Sequence, residues 1–144
     1  MRNALLFGLV LALLFGACKE ERRLAIEGSW RMVYGEWMAS DSSTYPAQII
    51  GSQIKTWTKE YFTFVGEFKR GDQPIEAAYG GGTYSLIGKH YTENAVYQYT
   101  KAYLDHEIRI LLEIKGDTLI QRWPATTDWK LPERYCMEKY VRLR

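Results

Sequence analysis

The chain has 144 residues, which suits one domain and leaves little room for two. Hydrophobic residues make up 47%, enough to bury a core, and 15% are aromatic, led by 11 Tyr and 5 Trp, residues that fit pleated, half-buried surfaces. With 19 basic against 17 acidic residues the net charge is only +2, without the basic excess of a dedicated nucleic-acid binder, and two cysteines cannot staple a disulfide-rich scaffold.

Met1-Arg2-Asn3 is a short positive start, and Ala4 to Phe15 is an apolar run that falls short of the roughly 20 residues a spanning helix needs. Small Gly16 and Ala17 follow, then Cys18. Positive, apolar, small is the order of a secretory signal. The small pair before a cysteine also resembles the lipobox of bacterial lipoproteins, in which the cysteine becomes the new N-terminus and carries lipid; Phe15 stands where that box prefers Leu. The expected organisation is a lipoprotein signal peptide at 1–17, a lipidated Cys18 with a tether through 25, and a single domain at 26–144. Plain secretion with a structural Cys18, or an uncleaved anchor, are the alternatives. Loss of Arg2 leaves the mature chain near neutral, so attachment would rest on acyl chains rather than on attraction to acidic headgroups. The expected place is the cell envelope, outside the cytoplasm.

From Gly28 onward short strands alternate with turn residues. Gly28 to Trp37 alternates, with Trp30, Met32 and Tyr34 on one face. Residues 39–45 are polar and loop-like, and 46–53 is predicted as a short helical turn begun by Pro46. Strands are predicted at 54–58 and 61–68, the latter with Phe62, Phe64 and Phe68 on one face. A turn cluster at 70–74 precedes a strand at 79–87, whose start, Gly80-Gly81-Gly82, suggests a bulge or bend. A long strand at 89–101 sets Tyr91, Glu93, Tyr97 and Tyr99 against His90, Thr92 and Val96. Residues 108–115 and 118–123 read as a hairpin turning at Gly116-Asp117, or through three residues at Lys115-Gly116-Asp117, 124–132 as a loop, and 135–143 as a last strand. About eight short strands without a long helix imply an all-β, up-and-down antiparallel barrel, whose closure removes unpaired edges.

Gly28-x-Trp30 on the first strand resembles the lipocalin and fatty-acid-binding group of barrels. That resemblance implies that Trp30 closes one end of the barrel beneath a cation, Arg134 or Arg142. Lys55-Thr56-x-Thr58, Phe62-x-Phe64-Val65, Gly80 to Leu86, Tyr91-Thr92-Glu93 and Glu138 to Arg142 together look like a lipocalin-like domain family of unknown function found in bacterial lipoproteins, over roughly residues 24–144. The chain departs from that pattern with Tyr140 in place of a Trp and Tyr61 in place of a His. The resemblance implies a calycin-type barrel and an envelope location, and it brings no reaction.

No metal-ligand spacing surrounds His90, His106 or Cys136; the two histidines read as solvated at strand ends and Cys136 as a small buried hydrophobe. No Gly-x-Ser-x-Gly or phosphate loop is present. No cofactor and no catalytic residue is assigned. Glu93 and Glu113 are carboxylates that would need a partner if inward, with Arg109, Arg122 and Tyr84 available. Phe62, Phe64, Tyr84, Glu93, Tyr97, Tyr99 and Trp123, with Trp57, are the candidates for an aromatic ligand pocket. The leading expectation is a membrane-anchored barrel holding a small, partly apolar molecule or lipid, its polar end oriented by Glu93, Arg109 or Arg122. Its rival is a side-chain-filled barrel that contacts other proteins through exposed Trp37 and Trp129. A cavity above roughly 300 Å³ favours the first, and an outer apolar patch the second.

Overall fold

The computed structural model describes residues 25–37 and 44–144. The expected signal peptide, Cys18 and residues 18–24 of the tether lie outside the described residues. Among the described residues there are nine strands: β1 (Gly28–Glu36), β2 (Thr44–Tyr45), β3 (Ile49–Trp57), β4 (Tyr61–Arg70), β5 (Glu76–Ile87), β6 (His90–Gln98), β7 (Glu107–Lys115), β8 (Thr118–Trp123) and β9 (Cys136–Arg142). A 3-10 turn, Lys101–Tyr103, separates β6 from β7. Among the described residues no helix is long and apolar enough to cross a membrane.

From β3 to β9 each strand pairs antiparallel with the next, β3 pairs with β1, and β9 closes onto β1. The two-residue β2 joins only the far end of β1, at Gly35 and Glu36. The wall is therefore eight strands in up-and-down order, the architecture expected from the alternating pattern. Only Pro46–Gln48 turns, and β3 begins at Ile49 rather than after a helical segment. Ladder pairing explains the difference: Ile49 to Gln53 lie opposite Arg70 to Gly66, a partnership no local propensity reveals.

Two register shifts change which side chains face inward. On β1, Met32 pairs with Tyr140 but Tyr34 pairs with Lys139, so Val33 is an extra residue. Tyr34 consequently faces out beneath the Lys139 ammonium, 5.5 Å from its ring centre, rather than sharing the face of Trp30 and Met32. On β6, Gly82 pairs with Ala95 and Gly81 with Tyr97, leaving Val96 as the extra residue. A one-residue insertion flips everything beyond it to the other face. The glycine run makes this possible: a Cβ on Gly82 would lie 1.9 Å from the Asn94 carbonyl oxygen.

One end of the barrel is packed solid. Trp30, Trp57, Tyr91, Tyr140, Phe62 and Leu119 are fully or almost fully buried there. Burying each such side chain stabilises the fold by about 1.5–3 kcal/mol. Trp30 donates through Nε1 to the Ile26 carbonyl at 2.8 Å, and the Arg142 guanidinium lies 4.0 Å above its ring. Arg142, not the exposed Arg134, is the capping cation; it also donates to the Glu27 carbonyl at 2.7 Å and to the Ala25 carbonyl. The last strand thus ties down the chain entering the barrel.

Candidate functional site: a cup with a polar floor

Among the described residues the opposite end is open. A cavity of about 640 Å³ enters the barrel between the ends of β1, β4, β6, β8 and β9, with the 3-10 turn folded at its mouth. Its walls are aromatic: Trp37, Phe64, Phe68, Tyr99, Tyr103 and Trp123. Phe64 and Tyr99 meet edge to face at 6.5 Å, as do Trp37 and Phe68 at 5.8 Å and Tyr103 and Trp123 at 5.9 Å. Such contacts fix ring orientation more firmly than area burial alone. Burial raises the Tyr103 hydroxyl pKa above its ordinary value, with Cys136 beside it as the next cause.

The floor is polar, built from alternate positions of strands whose other inward residues are apolar. Gln53 and Lys55 precede Trp57 on β3, Gln121 follows Leu119 on β8, and Glu138 sits between Cys136 and Tyr140 on β9. All four of these polar side chains are buried, as is Glu93 on β6. Two chains of hydrogen bonds run through them. In the first, Trp57 Nε1 donates to Tyr91 Oη at 2.7 Å, Tyr91 donates to Glu93 Oε1 at 2.8 Å, and the Lys55 ammonium closes on the same carboxylate. Lys55 also donates to Gln121 Oε1 at 3.3 Å and lies 5.1–5.9 Å from the ring centres of Phe62, Trp57 and Phe64. In the second, Gln53 Nε2 donates to Tyr140 Oη at 2.8 Å, Tyr140 donates to Glu138 Oε2 at 2.8 Å, and Trp37 Nε1 donates to Glu138 Oε1 at 3.0 Å. Both tyrosine hydroxyls are held well above their ordinary pKa, first by burial and next by the adjacent carboxylate. Each therefore stays a donor to its glutamate.

Trp37 reaches Glu138 because β1 carries a glycine where the indole folds back; a Cβ on Gly35 would lie 2.5 Å from that ring. Gln121 Nε2 is left over. With Oε1 turned to Lys55, its amide nitrogen is buried and has no acceptor among the described residues.

The cup brings together Phe64, Glu93, Tyr99 and Trp123 of the predicted pocket residues. Phe62 and Tyr84 face inward but lie in the packed layer below, where the Tyr84 ring lies tilted against Tyr91, 5.5 Å between centres, and its hydroxyl donates to the Thr58 carbonyl at 2.7 Å. Trp57 is in that layer too. Tyr97 is on the outside, 67% exposed, because the extra residue Val96 reverses its side. Glu93 does face inward, but its partner is Lys55 rather than an arginine. Arg109 pairs with Glu107, and Arg122 with Glu113 at 3.4 Å, both between partly exposed side chains away from the floor. Trp37, expected as an exposed contact, is half-buried in the cup mouth, and Trp129 lies flat on His90 at 4.3 Å. Sequence reasoning passed over Gln53, Lys55, Gln121 and Glu138 because an alternating strand reads as polar outside. Their signal was parity: each shares a face with a buried aromatic or leucine.

Among the described residues no three His, Cys, Asp or Glu side chains are grouped to hold a metal ion. No family model matches the chain, and no curated protein matches it.

Proposed function

We propose that this protein is a membrane-anchored, lipocalin-like lipoprotein that binds a small, partly apolar molecule non-covalently in the cup. One observation carries the reading: a barrel closed and packed at one end holds about 640 Å³ of open, aromatic-walled space at the other, over a buried polar floor. Burial of apolar ligand surface against those rings supplies affinity at about 25 cal/mol per Å² before the costs of immobilisation. The floor orients the polar end. The order of residues 1–18 supports export and lipid attachment at Cys18.

Two expected results test this. Native mass spectrometry of the domain purified from its source membranes should show a retained small molecule; a mass equal to the bare chain under gentle conditions, together with no uptake of hydrophobic probes, would sink ligand binding. Cys18→Ser should move the protein from the membrane to the soluble fraction, whereas unchanged membrane association would remove the lipid anchor.

A second reading draws on the outer wall. Tyr61, Val65, Tyr79, Val96 and Tyr97 are all more than half exposed and lie on adjacent strands around Gly81. A patch of this kind favours a protein contact. Cross-linking that captures a partner through Tyr97, with an empty cup, would promote that reading over the first.

A further inference from the structure

The two carboxylates on the floor are built alike and finished differently. Each is buried, and each accepts a hydrogen bond from a tyrosine two residues away on its own strand. Glu93 then receives an ammonium, Lys55. Glu138 receives an indole N–H, Trp37. Both Glu138 oxygens act as acceptors, and both donors are neutral. Among the described residues no ion pair reaches it. The other charged groups lining the cup do not fill that role: Lys55 is taken by Glu93, Glu107 by Arg109, and Arg70 is exposed at the rim, its guanidinium 5.9 Å from the Trp37 ring centre. A buried anion with no countercharge is costly, and proteins ordinarily pair it.

Resting on the reading of the cup as a binding site, we propose that its ligand is an organic cation, an amine or ammonium on an apolar body, whose charged nitrogen seats against Glu138. The surroundings suit such a group. Trp37, Phe68 and Tyr103 line the same cup, and aromatic faces attract an ammonium electrostatically. Gln121 lies directly across from Glu138 on β8, so a carbonyl or hydroxyl oxygen near the cationic nitrogen would answer its unpaired amide. A carboxylate or phosphate would meet Glu138 head on. The chemistry selects against fatty acids and for amphipathic amines.

The test compares three probes of similar shape by calorimetric titration of the purified full chain: 2-phenylethylamine, 2-phenylethanol and 3-phenylpropanoate. The amine is expected to bind about tenfold or more tightly than the alcohol, a difference of about 1.4 kcal/mol, and the carboxylate most weakly. Glu138→Gln keeps the size and shape of the side chain and one of its two acceptor atoms while removing the charge, and it should abolish the amine's advantage over the alcohol. Equal binding of amine and alcohol, preference for the carboxylate, or an amine preference that survives Glu138→Gln would overturn the proposal and leave the cup a binding site for another class. Should Glu138→Gln fail to fold, the wild-type order of the three probes decides. Failure of all three probes, with a co-purified molecule that lacks a basic nitrogen, also overturns it; failure with nothing co-purified removes the binding reading itself.

Discussion

Trp30→Ala is expected to destabilise the barrel by about 3–5 kcal/mol, the range for truncating a fully buried aromatic side chain. Trp30 has no exposed surface, and three features depend on it. Its ring fills the closed end among Ile26, Trp57 and Tyr140. Its Nε1 fixes the Ile26 carbonyl, and its face supports Arg142, which in turn holds the carbonyls of Ala25 and Glu27. Removing the indole leaves a cavity that the surrounding strands cannot close without breaking the β1–β9 seam, the joint that makes the sheet a barrel. At a urea dependence of about 2 kcal/mol per M, the unfolding midpoint should fall by about 2 M. Arg142→Ala should cost less, because a cation stacked on an indole contributes about 0.5–2 kcal/mol and the ring stays buried. A midpoint unchanged by Trp30→Ala would mean that the closed end is not what seals the barrel.

This end of the molecule was legible because Gly28-x-Trp30 is a short local pattern, and the resemblance it carries implies a Trp closing the barrel beneath Arg134 or Arg142. Strand number and hairpin order were legible for the same reason: turn residues punctuate the chain, and alternation survives in β4, where Phe62, Phe64 and Phe68 do share the inner face. Parity failed where the backbone gained a residue. Nothing in the side chains of Val33 or Val96 announces a bulge, so parity groups Tyr34 with Trp30 and Met32, and Tyr97 with Tyr91 and Glu93, where the structure separates them. The glycine run flagged the second bulge but lies on the partner strand, one pairing away from the residue it displaces. The polar floor failed for a different reason. Ile50 is 74% exposed and Ile54 39%, while Gln53 and Lys55 are buried, so hydrophobicity pointed to the wrong face of β3. What makes burial of Lys55 tolerable is Glu93, three strands and 38 residues away, and such compensation exists only once the barrel has closed.

That compensation is itself open to measurement. Lys55→Met should destabilise the protein by about 3–5 kcal/mol, because it strands a buried carboxylate with only Tyr91 as a donor. Glu93→Gln should cost less. It leaves an ammonium that still has Gln121 Oε1 and three ring faces, each attraction worth about 0.5–2 kcal/mol. The double variant, with neither charge, should recover most of the loss, since a pair replaced by neutral groups of similar volume is close to break-even. Denaturant unfolding of the four proteins gives the coupling free energy directly. Costs that simply add would mean that the two charges do not sense each other and that the floor is wetter than a packed barrel allows. A large coupling with Lys55→Met as the worse single change would place the ion pair where the geometry has it. It would also isolate Glu138 as the floor's remaining charge, and the amine preference of the cup should then persist in the double variant, because neither substitution touches the Trp37–Glu138–Tyr140 chain.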